Sequence, residues 1–363
     1  MTDVVVRSAL TAAAPAAYRT HEAPWWRRTL LTHEMLMVVT LVVVALVAAA
    51  SVPRFATPLT LSYLLLDVTP ILLCALPGAL ILVSGEIDLS VASAVGLSNV
   101  LIGWLFVQGV PLPWAIVAGI GSGLVVGAVN GLLVAAFGLP SLAVTIGTMA
   151  LFRGVAVGLL GTESVTSFPA DLKALANANI PGTGVPRVMG LVLCAVVLCA
   201  VVAHATAFGR SVYTIGHSID TARFSGVRVA RTKFWLFVVS GLVAGLVGAF
   251  YTFRYGSSRG DNAAGLELAV IAGAVLGGVS IFGGRGRIVG VVAGVLLIGL
   301  VQSLLRFLNN SADVVNIAVG ALLVLSVALP LALNRGVQAV ARARRPASVA
   351  APAEDPTPRK EER

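Results

Sequence analysis

The sequence predicts an all-α integral membrane protein of about ten transmembrane helices, and three observations carry that expectation. Of its 363 residues, 58% are hydrophobic and only 11% charged. With a mean hydropathy of +0.95, the chain is too apolar for a water-soluble domain of this size. The apolar residues gather in runs of about 20, the length a helix needs to cross the hydrocarbon core. The basic residues fall in short clusters between those runs, where lipid headgroups and the positive-inside bias account for them.

Taken in order, the expected spans are 33–52, 59–83, 89–108, 113–137, 141–161, 187–206, 233–254, 264–282, 287–307 and 313–333. Pro70, Pro77 and Gly78 interrupt the second, and a glycine cluster ends the eighth. Such breaks either line a transport path or are kinks in ordinary spans. Residues 1–32 read as an N-terminal tail, 33–333 as the membrane domain, and 334–363, rich in Arg, Pro, Ala and Glu, as a disordered C-terminal tail. The first thirty residues show no short apolar core followed by a small-residue cleavage site, so insertion is expected to begin with the first span.

An even span count puts both termini on one side. If that side is the cytoplasm, the inside segments carry 18 Lys and Arg and the outside segments six, with Arg153 left within a span. The excess places both termini on the cytoplasmic side of the membrane. The segment 162–186 is then a long polar excursion outside, and 207–232 is the one sizeable cytoplasmic loop.

Several chemistries are excluded. Lys173, Lys233 and Lys360 are the only lysines, and none follows a glycine-rich loop, so the chain has no phosphate-cradling P-loop and does not hydrolyse ATP alone. His21, His33, His204 and His217 have no ligand-like spacing. No metal or cofactor is expected in this chain. Cys74, Cys194 and Cys199 lie inside apolar runs and read as small buried hydrophobes. The net charge of +9 is spread between spans, which argues against nucleic acid.

Two cytoplasmic motifs stand out. In Ser84–Ser90, "SGEIDLS", Asp88 is placed to cap the third span with Ser90 nearby. Alternatively Glu86 or Asp88 lines a polar pathway, because a charge at membrane depth costs roughly 2.5–3.5 kcal/mol and is kept mainly for a use. In Gly216–Val227, "GHSIDTARFSGV", Ser218 or Asp220 can cap a short helix through Thr221, Ala222, Arg223 and Phe224, followed by Ser225, with Gly226 ending it in the left-handed conformation. So short a helix is stable only when packed. It either lies on its own membrane domain or presents Arg223 and Phe224 to a soluble partner.

The blocks "SGEIDLSVAS", "GAVNGLLVAAFGLPSLAVTIGTMALFRG", "GRSVYTIGHSIDTARFSGV" and "VLGGVSIFGGRGRIVGVVAGVLLIGL", spread over about residues 60–310, resemble the permease subunit of ribose-type carbohydrate ABC importers. The resemblance implies the ABC importer permease fold, a second permease copy or paralogue, a cytoplasmic ATPase that binds ATP and Mg, and an extracytoplasmic sugar-binding protein. It also implies that Ser218–Gly226 is the coupling helix. Two departures stand out: Ser218-Ile219 replaces a frequent Asn-Pro, and Glu86 stands where many relatives carry Gly.

In "FGGRGR", Gly283, Gly284 and Gly286 permit a tight cytoplasmic turn, with Arg285 and Arg287 as topology anchors or ATPase contacts. "GEIDLSVASAVGL" and "GGRGRIVGVVAGVL" echo each other as a turn before a small-residue span, a faint internal repeat. Asn99, Asn130, Thr145, Thr148 and Gln302 either line a sugar route or join helices. The predicted function is inward movement of a monosaccharide or small polyol. Branched-chain amino acids are the alternative cargo, and an ion-driven transporter using Glu86 or Asp88 is the alternative class.

Overall fold

The computed structural model describes residues 32–343. The predicted N-terminal tail, up to residue 31, and the C-terminal tail from 344 lie outside the described residues. Among the described residues thirteen helices follow one another: α1 (His33–Ser51), α2 (Pro58–Val83), α3 (Val91–Val107), α4 (Leu112–Ala135), α5 (Ser141–Leu160), α6 (Ala170–Ala176), α7 (Val188–Ala205), α8 (Ala207–His217), α9 (Ile219–Phe224), α10 (Val229–Tyr255), α11 (Leu266–Leu276), α12 (Ile288–Phe307) and α13 (Ala312–Ala343).

Seven of these, α1, α2, α4, α5, α7, α10 and α12, are long and apolar enough to cross a membrane. The apolar helices α3, α11 and the Ala312–Ser326 part of α13 are shorter. These ten elements fall on the ten predicted runs. The molecule is an all-α, multi-pass protein of the bacterial inner membrane.

Local chemistry sets the helix starts. Thr57 accepts the Thr60 N–H on its side chain at 3.2 Å with Pro58 at the first helical position, a pairing that begins a helix without wasting a donor. Pro70 and Pro77 do not interrupt α2, which runs unbroken to Val83. Almost every residue from Leu66 to Val83 is buried. A helix apolar on all sides belongs in the middle of a bundle, and neighbours on every side outweigh two missing backbone donors.

Around α2 pack α7, α10, α11 and α12. The most extensive contact joins α4 to α10. There Gly123 and Gly127 face Gly241 and Gly245 so closely that a Cβ on any of the four would meet backbone of the other helix. Without hydrophobic drive between helices in lipid, such small faces bring backbones into van der Waals contact.

Two elements differ from expectation. The eighth span, read as 264–282, is helical only from Leu266 to Leu276. Gly278, Gly283, Gly284 and Gly286 then take positive φ, a backbone that helix cannot continue through. At 1.5 Å per residue α11 is about 16 Å long, half a hydrocarbon core. The last helix continues to Ala343, past the boundary expected at 333.

Chain direction divides the connections between two ends. One carries 84–90, 136–140, 206–228 and 277–287 and is called the α9 end. The other carries 52–57, 108–111, 161–187, 256–265 and 308–311 and is called the far end. The polar excursion 162–186 holds α6 and is tied down, with Asn177 accepting from Arg254 at 2.7 Å and Asn179 from Ser62 at 2.8 Å.

Gly241→Val drives a side chain into the backbone of α4 and is expected to destabilise the protein by about 1–3 kcal/mol. Gly121→Val, on a face of α4 where a Cβ meets nothing within 4 Å, is expected to stay within about 0.5 kcal/mol. Thermal unfolding of the detergent-solubilised variants measures both.

Candidate functional site

Three segments far apart in sequence meet at the α9 end. The first is α9 itself. Ser218 is extended (φ −163°, ψ 122°) and its Oγ accepts the Thr221 N–H at 3.2 Å, satisfying one of the free donors of the first turn. Gly226 sits at φ +78°. Its N–H donates to the Arg223 carbonyl and that of Val227 to the Ala222 carbonyl, both at 3.0 Å, the pattern that closes a helix on a left-handed glycine. Asp220 in the first turn and Arg223 in the last match the helix dipole and lie 3.8 Å apart.

This helix is one-sided. Ala222 is fully buried, whereas Phe224 is 93% exposed; Thr221 and Ser225 also face outward. The outward face of α9 thus carries an exposed aromatic ring beside Asp220 and Arg223.

The second segment is the glycine turn. Gly284 donates its N–H to the Val83 carbonyl at 2.8 Å, and the Tyr213 hydroxyl donates to the Gly286 carbonyl at 2.6 Å. Gly283 lies against Gly216 and Gly85, and Gly284 against the His217 ring. Phe282 beside them is 84% exposed, and Arg285 also faces outward. The two turns of the echoed repeat therefore touch one another, at the foot of α9.

The third segment is 84–90, which runs without helical bonding alongside α10. Lys233 forms a buried ion pair with Glu86, the side chains being 11% and 14% exposed. Asp88 does not cap α3; its Oδ1 accepts from the Ser90 N–H at 2.9 Å and the Ser90 hydroxyl at 2.7 Å, and its Oδ2 from Ser240 at 3.1 Å. This is a local turn onto residue i+2, anchored to α10. Asn130 of α4 donates to Ser90 at 2.6 Å. From α5, Ser141 accepts the Ile87 N–H at 3.1 Å, and Thr145 donates to the Ile87 carbonyl at 3.2 Å.

The other nominated residues lie elsewhere. Thr148 donates to the Thr145 carbonyl of its own helix. Asn99 is a hub near the far end: its amide donates to Thr252 and to the Ser257 carbonyl, and its oxygen accepts from the Arg259 N–H and from Asn262. Gln302 is also near the far end, in a cavity with Asp67 and Arg306. Arg153, the cation left over in the topology count, pairs with Glu267 of α11 at 3.4 Å.

Sequence reasoning missed Lys233, counted only as a topology cation, and Ser240 and Ser141, which lie in apolar runs. It also missed Asp67, which bridges Arg254 at 3.3 Å and Arg306 at 2.9 Å. An acid inside the run 59–83 was itself a signal, since such a charge needs a partner in the bundle.

Ten apolar helices bundled about α2, with a short one-sided helix at one end, define a multi-pass membrane subunit of the permease class. Residues 60–327 match the family described as branched-chain amino acid transport system / permease component, and the chain belongs to that family of ABC importer permeases. It is 35% identical over 259 residues to the autoinducer 2 import system permease protein LsrD of Yersinia enterocolitica, covering 70% of this chain and 78% of that protein. Identity to the protein of the same name from Photorhabdus laumondii is 34%, covering 70% of this chain and 77% of the other. The Yersinia pseudotuberculosis protein of that name is 35% identical, with the same coverage. No solved structure matches the chain.

Lys233→Met strands the Glu86 carboxylate in the bundle and is expected to cost about 3–5 kcal/mol, whereas Lys233→Met combined with Glu86→Leu regains most of it. Unfolding of the purified single and double variants separates the two outcomes.

Proposed function

We propose that this chain moves a monosaccharide or a similar small polyol into the cytoplasm, driven by ATP bound and hydrolysed, with Mg, in a separate ATPase subunit. The α9 end faces the cytoplasm, as the distribution of Lys and Arg favours. Ser218–Gly226 is the coupling helix. The observation that carries this reading is the geometry of α9, which is capped at both ends and fixed through Ala222, with Phe224 outermost.

An extracytoplasmic binding protein delivers the solute at the far end, and the permease works as a pair with a second copy or a paralogue. The relatives' name, an import system permease for autoinducer 2, supports the inward direction. The family's description supports branched-chain amino acids as the second reading of the cargo. The ion-driven alternative loses its basis, because Glu86 and Asp88 are both engaged by partners on α10.

Phe224→Ala is expected to weaken ATPase association by about 2 kcal/mol or more, as truncation of an aromatic anchor does. Ala222→Pro breaks α9 at a cost of about 3 kcal/mol and is expected to abolish uptake while leaving membrane insertion intact. Co-purification from native membranes reads the first, and uptake of labelled sugars and leucine reads the second. Normal uptake by a correctly inserted Ala222→Pro variant would refute the coupling assignment.

A further inference from the structure

On the outside of the bundle, between α2, α7, α8 and α10, lies a groove of about 330 Å³ whose lining holds no charged side chain. Leu76 of α2 is buried at its floor, whereas Leu198 of α7 and Trp235 and Val239 of α10 are exposed along its edges. From α10 the groove takes the row Trp235, Val239 and Val243, spaced four apart and so stacked on one face of the helix. That row covers about 12 Å at 1.5 Å per residue, most of one leaflet of a hydrocarbon core about 30 Å thick. It begins about 9 Å from the first residue of α10, which puts the groove in the leaflet at the α9 end.

The same row continues into charge. Four residues before Trp235, one turn nearer the α9 end, it carries Arg231. Arg231 is exposed, as is Arg228 just before α10 begins. Neither guanidinium has an ion-pair or hydrogen-bond partner among the described residues. The carboxylates of this end are already engaged: Glu34 with Arg287, Glu86 with Lys233, Asp220 with Arg223, and Asp88 with Ser90 and Ser240. A second copy of this chain therefore brings no free acid of its own to Arg231 at this depth. Trp235 stands between the two chemistries. Its ring lines the groove, and its indole N–H, a donor only, has no hydrogen-bond acceptor among the described residues. A free cation, then an N–H donor, then an apolar trough is the order in which a phospholipid presents its phosphate, its ester carbonyls and its acyl chain. Basic recesses between helices at the cytoplasmic surface favour anionic headgroups.

We propose that this groove binds one anionic phospholipid, with its phosphate on Arg231 and Arg228 and an acyl chain laid along Trp235, Val239 and Val243. The site is independent of the cargo; only its assignment to the cytoplasmic leaflet rests on the orientation proposed above.

The indole in the groove reads the test. In the full chain Trp25, Trp26, Trp104 and Trp114 are replaced by phenylalanine, which leaves Trp235 as the one tryptophan. The chain is reconstituted in vesicles of equal parts phosphatidylglycerol and phosphatidylcholine, with brominated acyl chains, which quench indole on contact, on one lipid or the other. Brominated phosphatidylglycerol is expected to quench Trp235 more strongly, with a preference of about fivefold for each arginine engaged. Arg231→Gln is expected to cut the preference about fivefold, and Arg285→Gln, which removes an exposed arginine off the row, to leave it unchanged. Mass spectrometry of the chain with all its tryptophans, released from the same vesicles, is expected to show one retained phosphatidylglycerol that Arg231→Gln loses; this measurement stands in if the phenylalanine variant does not insert.

Equal quenching by the two lipids would overturn the site. An equal loss of preference with Arg231→Gln and Arg285→Gln would also overturn it, because the whole basic end would then attract headgroups without a defined place for one. Quenching by neither lipid would show that protein covers the groove and would overturn it as well. None of these results bears on solute import, which uptake measures separately.

Discussion

A membrane bundle must satisfy every peptide group from within, because lipid offers no hydrogen bonds, and in this protein the segment 84–90 makes that constraint govern the structure. Helix bonding stops at Ser84, yet the chain continues inside the bundle. The Glu86 N–H returns to the Ile81 carbonyl at 3.1 Å. The Ile87 N–H and carbonyl go to Ser141 and Thr145, and the Ser90 N–H goes to Asp88. The peptide groups of Ile87 draw α5 onto this short segment, and the side chains of Glu86, Asp88 and Ser90 draw α10 and α4 onto it as well. It also sets where α3 can begin, and so how α3 lies against its neighbours.

Around that polar seam the rest of the bundle relies on closeness. Where α4 meets α10, and where α11 meets α12, glycines remove the side chains that would hold the backbones apart. Dispersion then replaces the hydrophobic drive that is missing between helices in lipid. The two devices have different tolerances. A polar tie such as Asn130 to Ser90 keeps its length only in one arrangement, whereas a smooth glycine face permits sliding. The shortness of α11 follows from the same logic: its helix ends where glycines with positive φ begin, and the turn that follows is held by Val83 and Tyr213.

The fold was legible because its main signal is one-dimensional. Ten apolar runs became ten apolar helices, and the end signals of α9, a serine before and a glycine after, act within a few residues. What could not be read is what depends on distant partners. Glu86 and Lys233 are 147 residues apart, and the sequence contains no pairing rule that joins them. The same holds for Asp67 with Arg254 and Arg306. Asp88 was expected at the start of α3, but Ser240 and Ser90 turn it aside. Asn99 and Asn130 were noted as polar residues in apolar runs, and only the third dimension distinguishes a helix tie from a transport path.

On the reading proposed above, α10 is the element that links the two ends. It begins three residues after Gly226, where α9 hands over the chain, and its 27 residues span about 40 Å at 1.5 Å per residue. Along that length it carries Lys233 for Glu86, Ser240 for Asp88, and then Tyr251 and Tyr255 for the cavity at the far end. A push on α9 therefore enters a stiff helix that already grips the irregular segment and ends in the wall of the far-end cavity. Because α9 holds to the membrane domain through one buried side chain, Ala222, and through its glycine junction with α10, the displacement has few places to dissipate before it reaches that helix. Glu86, paired with Lys233, adds a charge-paired strut to this connection, so that 84–90 must move with α10 or break a buried ion pair.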